Sequence, residues 1–361
     1  MKAWYKPSIQ WLFVFIPVTL VVDRIEGMPA PVVFFCAGLS IIPIAAMIVQ
    51  ATEQIAHRTG DAIGGLLNAT FGNAPELIIS VVALNAGLVE MVRASLIGAV
   101  LANLLLALGA SFFLGGIRHH DQEYNPSASR MYSTMMMLAA FSLMLPSAFH
   151  KFLASEAPLP QESQLDIGVA ILLLAAYGLN LLFMLKTHPE VYKAASSGTH
   201  DGHGGSLWSP TRAIVTLLAA SALAAWMSEI LVGAAEGTGQ ALGMSEVFIG
   251  MVFLAVIGGA AESGSAIAMA RKNKMDLSIG IALGSCVQIT LFVAPVLVFL
   301  SYVIAPEPMM LQFSRVEVGL LFLGVLIAAM VAGDGRSNWF KGVQLITVYL
   351  IIAVSLYLIP T

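Results

Sequence analysis

Apolar runs long enough to cross a membrane recur through almost the whole of this 361-residue chain. Each run holds about 20 residues, enough to span a hydrocarbon core of roughly 30 Å as a helix. Only 11% of the residues are charged, compared with roughly 25% in an average soluble domain. The pattern predicts an all-α polytopic membrane protein with about eleven transmembrane helices. The predicted spans are 8–22, 29–50, 62–87, 94–116, 131–150, 165–186, 211–233, 247–271, 277–302, 314–332 and 340–359.

The distribution of basic residues predicts which side of the membrane each loop occupies. With eleven spans, 13 of the 17 Lys and Arg residues fall at the N-terminus or in every second loop after it. The other side holds only Arg24, Arg93, Lys151 and Arg315. Because Lys and Arg accumulate in cytosolic loops, we expect the N-terminus in the cytosol and the C-terminus outside.

The first apolar run, which follows Lys2 and Lys6, could instead be a cleaved signal peptide. Against that reading, Asp23, Arg24 and Glu26 follow the run, and no convincing small-residue cleavage site is present. We therefore interpret residues 1–28 as an extra N-terminal transmembrane helix, with the signal peptide as the alternative.

The stretch "FGNAPELIIS" (71–80) places a helix break and a charge inside an apolar span. Pro75 has no N–H to donate, so the carbonyl of Phe71 loses its helical partner. Gly72 lets the backbone turn away from helical geometry. In lipid an unpaired carbonyl has to face protein, water or an ion. The stretch therefore predicts a broken helix that presents carbonyl oxygens beside the carboxylate of Glu76.

A second copy of this pattern lies 186 residues further on. Segment 71–117 aligns with 257–303, so that "GNAPE", ending at Glu76, falls on "GGAAE", ending at Glu262. Five spans in each half, an odd number, would invert the second half relative to the first. Inverted repeats with broken helices that meet at the midplane are the architecture of secondary transporters. We therefore expect two inverted five-helix repeats after the N-terminal helix, with both glutamates near mid-membrane.

This organisation divides the chain into four parts. The N-terminal helix is followed by a first repeat, a cytosolic linker and a second, inverted repeat. Their predicted bounds are 1–28, 29–187, 188–210 and 211–361.

Two carboxylates with freed backbone carbonyls near Gly72 and Gly258 would form an all-oxygen site, to which Asn73 adds an amide oxygen. Ca²⁺ takes 6–8 oxygen ligands at roughly 2.3–2.6 Å, so such a site suits it better than softer metals. An empty site with both Glu76 and Glu262 ionised would be strongly penalised at the midplane, whereas a cation-loaded or protonated site is nearly neutral. Cation and protons would therefore exchange. The alternative is that each glutamate is only hydrogen-bonded between helices.

Segments 64–109 and 245–293 resemble the two α-repeats of the calcium/proton exchangers, within the calcium:cation antiporter superfamily and of the prokaryotic type. The resemblance covers both halves, the extra first helix and the mid-chain loop. It implies an eleven-helix exchanger that exports cytosolic Ca²⁺ in exchange for protons. It also implies that Glu76 and Glu262, with carbonyls near Gly72 and Gly258, hold the cation. The implied location is the bacterial inner membrane, with no cofactor, no nucleic-acid partner and a possible homo-oligomer.

The resemblance assigns further residues to the site. Those that would line it or its hydration shell are Asn73, Asn103, Gly259, Ser263, Ser285 and Gln288. Glu53 and Glu236 resemble acidic residues along the access path, although acids at helix ends facing water remain an alternative. The second motif departs from the family pattern, because Gly259 replaces an asparagine and Ser263 a histidine. Ala99 also stands where a serine is common. These departures put a strict preference for Ca²⁺ in doubt.

Other functions stay open at this point. A same-fold exchanger could carry Mn²⁺, Na⁺ or K⁺, or could use Na⁺ as the counter-ion. A cation channel is a less favoured class, and an enzyme is not expected, because the chain lacks the His-Glu-x-x-His motif of zinc proteases. The linker carries His188, His200 and His203, which are typical either of a metal or pH-sensing site or of a plain flexible linker.

Overall fold

The computed structural model describes residues 9–59, 64, 66–67, 70–153, 160–188 and 208–358. Within this part, twelve helices and two short strands have described bounds, and residues 64, 66–67 and 70–71 are also helical. The elements are α1 (Ile9–Val22), α2 (Ala30–Thr59), α3 (Ala74–Asn85), α4 (Val89–His119), β1 (Asp121–Glu123), α5 (Pro126–Leu153), α6 (Pro160–Leu182, extended by the π-helical turn Phe183–Thr187), α7 (Pro210–Leu242), α8 (Glu246–Gly258), α9 (Ala260–Arg271), α10 (Met275–Ile304), α11 (Arg315–Val331), β2 (Arg336–Asn338) and α12 (Trp339–Tyr357).

The expectation of a mostly helical membrane protein is confirmed. In the described part, seven helices are long and apolar enough to cross a bilayer, namely α2, α4, α5, α6, α7, α10 and α12. The pair α8–α9 bends by 56° at its break and would make an eighth span. Helices α1 and α3 are shorter apolar helices, and α11 has 17 residues. The count of eleven spans therefore stays a prediction.

Some predicted bounds were wrong. Helix α2 runs to Thr59 instead of ending at residue 50, and α5 begins at Pro126 instead of residue 131. The predicted end at residue 233 agrees with the helical segment Pro210–Gly233, after which α7 continues as Ala235–Leu242. A span predicted from hydropathy ends where the sequence becomes polar, whereas a helix continues until its backbone hydrogen bonds are interrupted. The two strands were not predicted, because three-residue strands are set by contact between distant loops. Lys2, Lys6, His200, His203 and most of the 188–210 linker lie outside the described residues.

Both copies of the repeated motif break their helix at matched positions. Helix α3 begins at Ala74 and α9 at Ala260, which are 186 residues apart. Pro75 lies in the first turn of α3, where its missing N–H is harmless. In the second copy Gly259 separates α8 from α9 without a proline. Each glutamate consequently occupies the first turn of a helix that starts inside the predicted span.

The following helices also match. Helix α4 begins at Val89 and α10 at Met275, again 186 residues apart. Each contains a π-helical segment about midway, at Ala102–Ala107 in α4 and Ile289–Val293 in α10. Single π turns inside α-helices are common at functional sites. Here they lie beside Asn103 and Gln288, two predicted site residues.

Helix α4 lies at the centre of the described structure. In its apolar 18-residue stretch 83% is buried, whereas only 22% of the corresponding stretch of α6 is buried. Helix α8 crosses α4 with the backbones in direct contact. A Cβ atom on Gly98 would overlap the carbonyl group of Met251, and one on Gly250 would overlap the carbonyl of Met91. Peripheral helices expose apolar side chains such as Leu172 and Met330, as expected for surfaces that face lipid.

Loops predicted to share one side of the membrane contact each other. Strands β1 and β2 pair antiparallel, with Gln122 opposite Ser337. Gln122 also donates to the carbonyl of Ala270 at 2.9 Å, at the end of α9. At the other end of the molecule, Arg93 donates to the carbonyl of Gln312 at 2.7 Å. Both contacts join loops that the distribution of Lys and Arg predicts to lie on the same side of the membrane.

Candidate cation site

The starts of α3 and α9 meet against the middle of α4 and α10. A Cβ atom on Gly258 would lie 3.0 Å from Cγ of Glu76, and one on Gly259 would lie 3.7 Å from Glu76 Oε1 and 3.7 Å from Asn103 Oδ1. Glycine at 258 therefore lets the backbone of the second half approach the carboxylate of the first. A larger residue there would displace Glu76.

Side chains from both halves form one hydrogen-bonded group around the second glutamate. The Ser285 hydroxyl contacts Glu262 Oε2 and lies 2.8 Å from Asn73 Oδ1. Asn103 Nδ2 donates to Ser285 Oγ at 3.2 Å, and Asn73 Nδ2 donates to Gln288 Oε1. Asn73, Asn103 and Ser285 are all buried, with exposures of 1%, 1% and 3%. Four of the residues that the resemblance assigned are thus brought together with Glu262.

The Ser285 hydroxyl has one proton and faces two oxygen atoms that accept hydrogen bonds, one on Glu262 and one on Asn73. If Glu262 is protonated, it donates to Ser285, and Ser285 donates to Asn73. If Glu262 is ionised, Ser285 donates to it, and the amides of Asn73 and Gln288 rotate together so that Asn73 donates to Ser285. The group can therefore satisfy both charge states of Glu262 without moving the backbone.

Glu76 has a different environment from Glu262. It is 8% exposed, and among the described residues neither carboxyl oxygen has a hydrogen-bond partner. A buried charge without a partner is penalised by several kcal/mol. The two glutamates are also close enough to repel each other when both are ionised. An ionised Glu76 consequently needs a cation beside it, and otherwise it needs a proton.

The remaining predicted residues lie further out. Gly72 precedes the break and is half-buried, and Ser263 follows Glu262 on α9. Glu53 is half-buried near the end of α2, and Glu236 is exposed on α7, where Gln240 donates to it at 3.2 Å. None of the hydrogen bonds among the described residues joins Glu53 or Glu236 to the two central glutamates.

Sequence reasoning missed three polar residues. Ser80 and Ser95 are buried and line a small cavity beside Glu76. Their signal was spacing, because Ser80 lies one helical turn after Glu76 and Ser95 one turn before Ala99. Glu229 is exposed on α7, two turns before Glu236 and on the same face. An acid inside a membrane helix is a functional candidate by default.

The donor chemistry at the centre is all oxygen. In the described part of the chain, no three His, Cys, Asp or Glu side chains come together as a metal cluster. The side chains at the centre instead combine two carboxylates with amide and hydroxyl oxygens, which are oxygen ligands of the kind that hard cations such as Ca²⁺ prefer.

Comparisons with known proteins agree with this chemistry. Residues 29–186 and 212–358 match the sodium/calcium exchanger protein family. The chain is 38% identical over 365 residues to a Ca²⁺/H⁺ antiporter of Aphanothece halophytica, covering 97% of this chain and 96% of the relative. It is 40% identical over 340 residues to the Ca²⁺/H⁺ antiporter ChaA of Bacillus subtilis (strain 168), covering 94% and 95%. The solved structure of native YfkE superposes with a TM-score of 0.81 at 36% identity, covering 98% of this chain and 100% of that one.

Proposed function

The chain belongs to the sodium/calcium exchanger protein family, and we propose that it is a secondary active antiporter that exports cytosolic Ca²⁺ in exchange for protons. The observation that carries the proposal is the meeting of Glu76 and Glu262 at the starts of two matched helices, inside a shell of oxygen donors. The relatives, aligned over nearly their whole length, are antiporters by name. We expect no cofactor, because the cation is itself the substrate.

The proposed architecture is two inverted five-helix repeats after an N-terminal helix. The matched starts of α3 and α9, and of α4 and α10, support the repeat. Eleven spans follow if α1 and α11 each cross once, if α3 crosses together with the segment before it, and if α8 and α9 form one broken span. With basic residues inside, the N-terminus lies in the cytosol of a bacterial cell and the C-terminus outside the inner membrane.

The cation would lie between Glu76 and Glu262. Carbonyl groups near Gly72 and Gly258 and the amide oxygen of Asn73 would complete part of its shell. Two carboxylates balance a divalent charge, so the loaded site is nearly neutral, and two protons achieve the same neutrality. The empty site with both glutamates ionised carries two buried negative charges, so its switch between the two sides of the membrane has a large free-energy penalty. Alternating access restricted to the neutral forms therefore couples Ca²⁺ to protons.

The second motif favours a broader cation selectivity than the first motif alone would suggest. Gly259 places a hydrogen where Asn73, at the matched position, places an amide. The second half therefore contributes one amide fewer to the shell. A same-fold exchanger for Mn²⁺ or a monovalent cation is the alternative that this observation supports.

Transport in proteoliposomes tests the proposal. An imposed proton gradient should drive Ca²⁺ uptake, and added Ca²⁺ should dissipate the gradient. Glu76→Gln and Glu262→Gln should each abolish both signals, while Glu307→Gln, an exposed loop glutamate, should retain both. Normal exchange in either central variant would refute the two-carboxylate mechanism. Replacing Ca²⁺ by Mn²⁺, Na⁺ or K⁺ in the same vesicles decides the cation.

A further inference from the structure

Three basic residues at the ends of α4 and α9 carry charges that the protein does not compensate. Arg118 lies in the last turn of α4, and Arg271 and Lys272 lie at the end of α9. All three residues are exposed. In the part of the chain that the structure describes, none of their side chains makes a hydrogen bond or an ion pair. We call these three residues the basic cluster.

The ends of the two helices are in contact, so the basic cluster occupies one surface. A Cβ atom on Gly115 of α4 would lie 3.3 Å from the Cβ of Ala270 on α9. One turn further along α4, the Nε2 atom of His119 lies 3.1 Å from the carbonyl oxygen of Arg271. The three basic side chains therefore leave the protein from neighbouring positions.

Other charged residues on the same face already have partners. Arg336 donates to Glu123 at 3.2 Å, and Lys341 donates to Asp334 at 2.6 Å. Asp276, at the start of α10, accepts a backbone N–H at 2.6 Å. The basic cluster differs from these residues, because its positive charges remain available to a ligand.

The basic cluster lies at the level of the phospholipid headgroups. Arg118 follows the predicted span 94–116 by two residues, and Arg271 is the last residue of the predicted span 247–271. A helix rises about 1.5 Å per residue, so both side chains start within a few Å of the predicted edge of the hydrocarbon core. The distribution of Lys and Arg predicts that this edge is the cytosolic one.

Aromatic residues lie beside the end of α4, at the start of α12. A Cβ atom on Gly116 would overlap the backbone nitrogen of Trp339. Trp339 and Phe340 are 49% and 54% exposed, and exposed aromatic rings at helix ends are typical of the membrane–water interface. Asp121, the acid that follows Arg118 most closely, lines a groove with these two rings. Its carboxylate is therefore on the α12 side of α4, whereas α9 carries two of the three basic residues.

An exposed apolar face leads along α4 to the basic cluster. Leu114 and Ile117 are 37% and 57% exposed. Leu114 lies four residues before Arg118, and this spacing places both on one side of the helix. The surface thus has an apolar part inside the predicted span and a positive part at its edge. A free phosphate ion would contact only the positive part, whereas a phospholipid contacts both.

We propose that the basic cluster binds the headgroup of an anionic phospholipid of the cytosolic leaflet, with an acyl chain along Leu114 and Ile117. Arginine donates to phosphate oxygens in a bidentate manner, and basic residues beside membrane helices attract anionic lipids. The bound phosphate would join the ends of α4 and α9, the helices that carry Asn103 and Glu262, at a distance from the cation site. The inference goes beyond the proposed function and does not depend on which ion is carried.

Native mass spectrometry of the purified protein in detergent measures the binding directly. In the wild type, one phosphatidylglycerol should bind about a hundredfold more tightly than phosphatidylcholine with the same acyl chains, as expected for three basic residues at a lipid surface. Arg118→Gln/Arg271→Gln should weaken phosphatidylglycerol binding about thirtyfold, and Lys272→Gln alone about fivefold. Binding of phosphatidylcholine should not change in either variant, because its headgroup has no net charge.

The matched control is Arg24→Gln/Arg315→Gln, which removes two exposed arginines from the predicted outer face and should leave the affinity unchanged. Arg118→Lys/Arg271→Lys keeps both charges and should bind within about threefold of the wild type. Equal affinity of the wild type for the two lipids, full affinity in the double glutamine variant, or an equal loss in the control would overturn the proposal. Inorganic phosphate that displaces the lipid at equal concentration would show an anion site without lipid recognition, and would also overturn it.

Tryptophan fluorescence gives the position of the lipid. In phosphatidylcholine vesicles, brominated phosphatidylglycerol should quench the protein more than brominated phosphatidylcholine at the same mole fraction. This excess should disappear in Trp339→Phe, and an excess that persists there would place the lipid elsewhere and refute the site. Glu76→Gln and Glu262→Gln should show the wild-type excess although they should not exchange ions, so failure of this site and failure of the proposed function are distinguishable.

Discussion

The two half-sites are the helix starts that carry Glu76 and Glu262. They have the same backbone arrangement but different side-chain surroundings. Helices α3 and α9 start at matched residues and carry a glutamate in the same turn. Glu76 is buried with no hydrogen-bond partner among the described residues, whereas Glu262 contacts Ser285. Asn73 reaches from the first half to Ser285 and Gln288 of the second, but Gly259 cannot reach back. Two helix starts with the same backbone arrangement thus give their glutamates different surroundings, because only Glu262 has a hydrogen-bond partner among the described residues.

Replacing either central glutamate by glutamine should have the largest effect on the exchange rate. It should also show most clearly how Glu76 and Glu262 differ. We expect Glu76→Gln and Glu262→Gln each to lower exchange at least a hundredfold, because either change leaves a divalent cation with one carboxylate. In Ca²⁺-free protein at alkaline pH, Glu76→Gln should also raise the melting temperature, since it removes a buried and unpartnered charge. Glu262→Gln should raise it less, because Ser285 already stabilises that carboxylate. Thermal unfolding in detergent measures the difference, and equal shifts would contradict the comparison.

A smaller change, Gly258→Ala, tests the contact between the halves. The added Cβ would lie 3.0 Å from Cγ of Glu76 and would push the carboxylate away from its partner. We expect Ca²⁺ to bind about tenfold more weakly, the equivalent of roughly 1.4 kcal/mol. Gly264 lies on the neighbouring helix α9, where an added Cβ would have nothing within 4 Å, so Gly264→Ala serves as the control. Calcium titration of the purified protein measures both, and an unchanged affinity in Gly258→Ala would show that the halves do not meet as described.

Ser285→Ala should remove the difference between the two glutamates, because Glu262 would then lose its hydroxyl partner and resemble Glu76. The change removes the hydroxyl that joins Glu262 to Asn73 and Asn103. We expect exchange to fall about tenfold, because a buried group that loses its hydrogen bond is penalised by about 1–3 kcal/mol. Ser111→Ala, another fully buried serine on α4, should leave the rate near that of the wild type. If the two variants behave alike in the vesicle assay, the hydrogen-bonded group has no role in exchange.

The smallest expected effect comes from restoring the missing amide. Gly259→Asn would place its Cβ 3.3 Å from the Ala255 carbonyl oxygen and 3.7 Å from Glu76 Oε1, so the Cβ atom fits with a small adjustment and the amide would begin beside Glu76. We expect Ca²⁺ to gain about two- to threefold over Mn²⁺ in competition, since one more oxygen donor favours the cation with the larger shell. Competition uptake with both ions measures this ratio. A shift towards Mn²⁺ would mean that Gly259 is not a lost ligand position.

Much of the site could be predicted from sequence because its signals are local. A proline, a glycine and a glutamate inside one apolar span require a broken helix, and the offset of 186 residues locates the second copy. The grouping of Asn73, Asn103, Ser285 and Gln288 with Glu262 came from the family resemblance, and the family itself is confirmed by the comparisons. Roles in cation binding remain proposals.

The other features of the site and the fold depend on how the helices pack, which the hydrophobic periodicity of the sequence does not specify. The unpartnered state of Glu76 and the cavity at Ser80 and Ser95 depend on how α3, α4, α8 and α10 pack around them. Strands β1 and β2 form only because the loops after α4 and before α12 meet. The extension of α2 past Glu53 follows from continued backbone hydrogen bonding through polar residues, which hydropathy treats as an end.

Proton release on Ca²⁺ binding tests the central claim most directly. Calorimetric titration of the purified protein with Ca²⁺, repeated in buffers of different ionisation enthalpy, counts the protons displaced by the cation. Competition for the two glutamates predicts that the wild type releases protons when it binds Ca²⁺ and that Glu76→Gln and Glu262→Gln each lose that release. Calcium binding with no proton release, or with the same release in both variants, would contradict the shared site.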